Sequence, residues 1–370
     1  MTDITIPADL LPSDGRFGSG PSRVRPSQIE HLIAHQAILG TSHRQAPVKD
    51  LVARVQGHLH ELFRLPDSYE VVLGNGGSTA FWDVAAANLA RNRSAHLSFG
   101  EFGQKCVAAH TTPWLSEPHV VSSEPGTRGT LEAIADADVY AWPHNETSTG
   151  VSAPVTRVQG AASDALMMVD ATSAAGGIDF DASEMDVYYF APQKNFASDG
   201  GLWFALMSPA AIARAEEIAA TDRYIPEFLS LKTAVDNSRL HQTLNTPALS
   251  TILLMESQLE WMMGRGGLSA AAAHTAHSSG LLYAWAESRN DVTPFVANPE
   301  HRSPVVATLD LDEAIDATAV TSILRANGIV DTEPYRKLGR NQIRVATFVG
   351  VDHEDVEKLI ASLDYVLERL

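Results

Sequence analysis

The sequence predicts an α/β protein: a doubly wound, mostly parallel sheet with a smaller C-terminal α+β domain. Three observations predict it. Short apolar runs alternate with longer stretches of helical spacing from about residue 50 to 210, the order that builds a parallel sheet covered on both faces. No internal repeat or low-complexity tract interrupts that order. After Arg223 the pattern changes to an irregular stretch, two long helices and a short strand–helix alternation. The expected division is an N-terminal arm at 1–15, a large domain at 16–258 and a small domain at 259–370, with a ligand cleft between the lobes.

Taken in order, residues 48–65 have helical spacing, with Leu51, Val52, Val55, Leu59, Leu62 and Phe63 on one side. Residues 70–73 read as a strand, 74–77 (Gly-Asn-Gly-Gly) as a turn, and Ser78-Thr79 open a helix to about Ala90. A strand at 95–99 leads to a helix at about 102–109. Further strands are expected at 138–142, 165–169, 187–190 and 202–207. Pro226, Asn237, Asn245 and Pro247 mark 223–247 as irregular. Helices are expected at 248–263 and 268–287, then a strand at 305–311, a helix at 314–327, a strand at 343–348 and a helix at 354–370. In such sheets ligands sit at the carboxyl ends of the strands, so chemistry is sought there.

A formal charge of −18 argues against nucleic acid or an anionic membrane as partner. It also requires that any anionic substrate be held by locally placed arginines. The single cysteine, Cys106, excludes an internal disulfide framework and fits a reducing cytoplasm. No apolar run approaches the ~18 residues of a membrane span, and the N-terminal stretch carries no secretory signal pattern.

Lys194 stands between two strands that both read as buried, in VYYFAPQKNFASDGG. Desolvation disfavours its charged form, lowers its pKa and makes the amine a usable nucleophile of the Schiff-base kind. A lysine snorkelling at a strand end is the bland alternative. Asp170 closes the preceding strand in MMVDATSAAGG. As an isolated residue it reads equally as an N-cap, but an acid and a lysine on adjacent strand ends are what pyridoxal phosphate asks for. Gly77, Ser78 and Thr79 free backbone N–H groups at a helix start, a place for an anion. The turn matches neither a P-loop nor a dinucleotide fingerprint, and a plain βα turn explains it as well. Thr147 and Asn145 follow a strand end, and Phe102 is placed to stack on a ring or to pack in the core. His43 and Arg44 precede the first long helix, and Arg336, Lys337, Arg340 and Arg344 cluster late in the chain. Arg344 lies on an apolar strand, where a guanidinium is costly unless paired and suits a substrate carboxylate.

These residues resemble a known family. FGSGPS (17–22), GTSHR (40–44), GNGGSTAFWD (74–83), HNETSTG (144–150), VDATSAAGG (169–177), YFAPQKNFASDGG (189–201), NTP (245–247) and GIVDTEPYRKLGRNQIRVA (328–346) are similar to the class V, fold-type-I pyridoxal-phosphate aminotransferases. Within them they resemble the actinobacterial phosphoserine aminotransferases. The resemblance implies that Lys194 carries the cofactor aldehyde and shuttles the proton, and that Asp170 holds the pyridinium nitrogen. It implies that Thr147 meets the phenolic oxygen and Phe102 stacks on the ring. Gly77, Ser78, Thr79 and Gln193 would cradle the 5′-phosphate, completed by Asn245 and Thr246 from the other subunit of a homodimer. His43 and Arg44 from that subunit, with Arg336, would receive the substrate phosphate, and Arg344 the α-carboxylate. No metal is implied. The chain departs from the common pattern at Ser78, where many members have arginine, and at Tyr335-Arg336, where His-Arg is usual.

The implied reaction takes the amino group from L-glutamate to 3-phosphohydroxypyruvate by a ping-pong route, giving O-phospho-L-serine and 2-oxoglutarate, with 3-hydroxy-2-oxo-4-phosphooxybutanoate as a second phosphorylated ketoacid. A serine- or alanine-type class V aminotransferase is the alternative, and it needs no phosphate clamp. A cysteine desulfurase requires a cysteine on a mobile loop, whereas Cys106 falls in a predicted helix. A non-catalytic phosphometabolite-binding protein has no use for Lys194 paired with Asp170.

Overall fold

The computed structural model describes residues 4–370, so the first three residues of the expected arm lie outside the description. In chain order the elements are α1 (Pro26–Ala34), α2 (Ala46–Leu62), β1 (Glu70–Asn75), α3 (Gly77–Asn88), β2 (Ser94–Ser98), α4 (Glu101–His110), β3 (His119–Ser122) and β4 (Val139–Pro143). A short pair follows, β5 (Asn145–Glu146) and β6 (Val151–Ser152), then β7 (Leu166–Asp170), β8 (Val187–Phe190), β9 (Leu202–Met207), α5 (Pro209–Ala219), α6 (Leu231–Arg239), α7 (Leu249–Gly264) and α8 (Gly267–Glu287). The chain ends with β10 (Val292–Pro294), β11 (Val306–Leu311), α9 (Ala317–Ala326), β12 (Gln342–Ala346) and α10 (His353–Leu367).

The seven-stranded sheet has the order β1-β9-β8-β7-β4-β2-β3. From β8 across to β3 every neighbour is parallel. Only β9 runs antiparallel, to both β1 and β8. Apart from the edge strand β3, the strands are buried on both faces, and their period of two splits them between two cores. Tyr140, Trp142, Met167, Val169, Tyr188 and Phe190 join Leu51, Val55 and Leu59 of α2 and Ile252 and Met255 of α7. Val139, Ala141, Leu166, Met168, Val187 and Tyr189 join Phe81 and Val84 of α3 and Ile212 of α5. Asp170 is two residues beyond Met168, and so falls on the face that α3 covers. That parity is what brings α3 to the Asp170 carboxylate.

A further cluster unites α8, α9 and α10 with the three-stranded sheet β10-β11-β12. The N-terminal segment packs into it: Ile6 and Phe17 are members, and Phe17 N–H donates to the Val330 carbonyl at 3.2 Å while its own carbonyl accepts from Ala346 N–H at 2.9 Å. No helix among the described residues is long and apolar enough to cross a membrane.

The expected elements are present, with these corrections. Gly74 and Asn75, expected in a turn, continue β1 in register with Trp203 and Leu202, so the turn is confined to Gly76 and Gly77. The stretch 223–247 is not wholly irregular, because Ser230 caps α6 by accepting from Thr233 N–H, and Leu231 and Val235 bury one face of that helix. The helix expected from Ala314 starts at Ala317, where Asp316 accepts from Thr318 N–H and fixes the first turn. Helices α1 and α5 and the short strands β3, β5, β6 and β10 are additional to the expectation. β3 is an edge strand whose residues are mostly exposed, so its sequence lacks the apolar run that marks the others.

Candidate active site

Asp170 pairs in register with Tyr189, so the end of β7 and the run after β8 leave the sheet at the same edge. Beyond Phe190 the chain turns back tightly, with Ala197 N–H donating to the Lys194 carbonyl at 2.9 Å and Ser198 N–H to the Pro192 carbonyl at 3.1 Å. This turn holds Lys194 over the strand ends. Its Nζ donates to the carbonyl of Ser19. Gly20 borders the amine so closely that a Cβ there would collide with Nζ, and its φ of 148° suits glycine. Burial, and then the Arg344 cation, push the Lys194 amine down to about 8, while the carboxylates of Glu146 and Asp170 act the other way.

Four donors converge on Asp170. Oδ2 accepts from Trp82 Nε1 at 3.0 Å and from the Tyr189 hydroxyl at 2.9 Å. Oδ1 accepts from Thr172 N–H at 3.0 Å and from the Thr172 hydroxyl at 2.6 Å. The carboxylate is thus fixed in plane and direction.

At the other end of the cavity α3 follows Gly76, its N-cap, which has a φ of 114° and provides no side-chain cap. Its first-turn N–H groups and the positive end of its dipole are therefore available to an anion. Phe102 stands at the start of α4, where the buried Glu146 carboxylate accepts N–H bonds from Phe102 and Gly103, both at 3.0 Å. Burial raises the Glu146 pKa despite these bonds. An acid at a helix N-terminus anchors the turn that carries the ring. Arg344 donates to the Thr147 carbonyl at 2.9 Å and lies under the Tyr335 ring at 5.5 Å, which in turn sits 6.0 Å from Phe102. The Arg344 Nε is buried with no partner.

One cavity of about 280 Å³ is lined by Gly77, Ser78, Thr79, Phe102, Thr147, Asp170, Gln193 and Lys194 together. A larger one of about 370 Å³, beside Leu97, Leu131 and Trp142, brings together none of the predicted residues. Asn245 and Thr246 are exposed and lie beside the cradle turn, with Asn75 Nδ2 donating to the Thr246 carbonyl at 3.2 Å. His43 Nδ1 is 3.3 Å from Thr246 Oγ1, and Arg44 donates to Gln242 at 2.8 Å. Neither pair lines the cavity. Arg336 is exposed, while its neighbour Lys337 pairs with Glu101 at the start of α4.

The residues fit pyridoxal phosphate. A reactive amine and a carboxylate face one small cavity that has an anion-binding helix start and an aromatic wall. Buried Gln193 Oε1 and Asn145 Oδ1 are left without partners at its lining. Sequence reasoning missed Trp82, Tyr189, Thr172 and the Ser19 carbonyl as parts of this site. The only signal for them was membership in the same strand-end and turn motifs.

The model of the family described as "Aminotransferase class-V" matches residues 27–332. A phosphoserine aminotransferase of a Nocardioides species is 56% identical over all of both chains. Among solved structures, a phosphoserine aminotransferase from Cytophaga hutchinsonii superposes with a TM-score of 0.89 at 24% identity, covering 95% of this chain and 98% of that one. A PLP-bound phosphoserine aminotransferase from Trichomonas vaginalis gives 0.80 at 18% identity, covering 94% and 99%. The chain belongs to the class-V aminotransferase family.

Proposed function

We propose that the chain moves the amino group of L-glutamate to 3-phosphohydroxypyruvate, releasing 2-oxoglutarate and O-phospho-L-serine, with pyridoxal phosphate as cofactor. The observation that carries the reading is the meeting of a lysine amine, its pKa lowered to about 8, and a four-fold hydrogen-bonded carboxylate in one cavity. The curated relatives, alike over the whole chain, supply the substrate class.

When bound, pyridoxal phosphate supplies the aldehyde that carries the amino group and a ring that takes up electrons released at the substrate's α-carbon. Lys194 Nζ holds that aldehyde and, once free and neutral, moves the proton at the α-carbon. Asp170 holds the proton at the ring nitrogen. The start of α3, with Ser78, Thr79 and Gln193, binds the phosphate, Phe102 orients the ring, and Thr147 meets the phenolic oxygen. Arg344, whose Nε has no protein partner, receives the substrate α-carboxylate in a charge-assisted pair. Both half-reactions use the same groups, so ping-pong kinetics follow.

The substrate phosphate falls to Arg336 together with His43 and Arg44 of a second copy, which also brings Asn245 and Thr246. Two observations support this dimer. His43 and Arg44 lie against the 242–246 segment, so all four move as one patch. Ile29 and Ile33 of α1, Leu39, Phe228 and Leu240 are exposed apolar side chains of the kind an interface covers. The reading extends to a large domain at 16–258 and a small one at 259–370, to 3-hydroxy-2-oxo-4-phosphooxybutanoate as a second substrate, and to the cytoplasm as compartment.

The test is a coupled assay of amino donors. Phosphoserine is expected to exceed serine and alanine in kcat/KM by about 10² or more, the discrimination that charged, hydrogen-bonded groups provide, and Arg336→Ala to narrow the gap. Equal use of serine would remove the phosphate clamp and favour a small-substrate aminotransferase.

The lowered lysine pKa makes a separate prediction. The rate at which cofactor-free protein takes up pyridoxal phosphate should rise with pH through about 8 and level off above it, because only the neutral amine attacks. Arg344→Met removes a repelling cation, so the midpoint should move to higher pH. Stopped-flow absorbance reads both, and a midpoint unmoved by Arg344→Met would contradict the assigned cause.

A further inference from the structure

We propose that the Thr172 hydroxyl is a hydrogen-bond switch coupling the two ends of the cofactor cavity, facing Asp170 in one setting and Ser78 in the other. The inference rests on the reading that the ring nitrogen meets Asp170 and the phosphate meets the start of α3.

A carboxylate offers about four acceptor positions, and Asp170 already receives four donors, two on each oxygen. A ring N–H arriving there needs one of them to yield. Trp82 and Tyr189 are fixed. Tyr189 is 1% exposed and its ring stacks on Phe81 at 4.5 Å, while Trp82 is 7% exposed on the buried side of α3. The Thr172 N–H belongs to the backbone turn. The Tyr189 hydroxyl has only the weak acceptor Cys106 Sγ, 3.8 Å away, as a second partner, whereas the Thr172 hydroxyl has an oxygen, Ser78 Oγ, 2.7 Å away. Its one proton cannot serve both oxygens.

When that proton turns to Ser78, an acceptor position on Asp170 Oδ1 opens. Ser78 then accepts, so its own proton is free to point into the cavity that it lines, where an anion at the helix start takes it. The sequence runs equally in reverse. A phosphate that accepts the Ser78 proton leaves the Ser78 oxygen as an acceptor for Thr172, which releases Asp170. Ring and phosphate therefore favour each other, and the coupling is reciprocal. Thr172 is thus a positioning residue.

The test uses the full-length protein freed of cofactor, with pyridoxal (which lacks the phosphate) and inorganic phosphate as separate probes. Equilibrium absorbance titrations give the pyridoxal dissociation constant with and without saturating phosphate. The tightening caused by phosphate is expected to be at least about fivefold larger in the wild type and in Thr172→Ser than in Thr172→Val. A merely structural loss in the valine variant weakens both titrations alike and leaves their ratio untouched. Should Thr172→Val not fold, Thr172→Ala removes the same hydroxyl and is expected to show the same reduced enhancement. Equal phosphate enhancement in all variants overturns the switch and leaves the site reading intact. Failure of the wild type to bind pyridoxal phosphate at all overturns both.

Discussion

Replacing Lys194 with alanine is expected to lower turnover by about 10⁴-fold, the upper end of what a positioned proton-transfer group contributes. The loss is large because no other side chain can take over. Ser19 and Gly20 close the space beside Nζ, and the cation that bears on the amine, Arg344, is a guanidinium that stays charged and provides no base. Arginine at 194 should be no better than alanine. Its guanidinium stays charged at every accessible pH, and so provides neither nucleophile nor base. Single-turnover assays with glutamate read the chemical step directly. A Lys194→Ala enzyme retaining more than about a hundredth of wild-type rate would contradict the role.

Asp170→Asn is expected to lower kcat by about 10² to 10³, the range for removing one preorganised electrostatic group, and to destabilise the fold as well. The second effect follows from the donors around the side chain. Trp82 and Tyr189 both point at Oδ2, and Thr172 donates twice to Oδ1. An asparagine has one oxygen and one NH₂ group; the Tyr189 or Thr172 hydroxyl can turn to accept from the NH₂, but in either orientation one N–H donor, Trp82 Nε1 or Thr172 N–H, is left facing another donor. Leaving buried donors unpaired costs about 1–3 kcal/mol each. Chemical denaturation should therefore show a loss that Asp170→Glu does not reproduce through the same pairings. An Asp170→Asn protein of unchanged stability would mean that these four bonds are not made in solution.

The large features were legible because they rest on local patterns. The strand ends carrying Asp170 and Lys194 could be read because each strand is an unbroken apolar run and the acid or lysine stands at its carboxyl edge. The helix start at Gly77 could be read because glycines and hydroxyls mark it. What surrounds these groups was not legible. Trp82 falls in the apolar pattern of α3 and reads as core, and only the parity of β7 turns its indole toward Asp170. Glu146 appears in sequence as one polar residue of a loop, yet it is fully buried and anchors the start of α4 at Phe102, 44 residues earlier in the chain. Ser19 and Gly20 lie in the FGSGPS stretch, but nothing local indicates that they touch a lysine beyond β8. His43 and Thr246 meet across 203 residues of chain, a separation over which spacing carries no information. Cys106 reads as structural from the sequence, and its place agrees: the thiol is buried in α4, 3.8 Å from the Tyr189 hydroxyl, and burial pushes its pKa up to about 12.

The assignment of Lys194 as the amine that holds the cofactor is tested most directly by finding where the cofactor attaches. Protein loaded with pyridoxal phosphate is reduced with borohydride, digested and mapped by mass spectrometry. A single modified peptide is expected, the one spanning Gln193 to Phe196, with the added mass on Lys194. A label on any other lysine, or none, would contradict the assignment and the chemistry built on it.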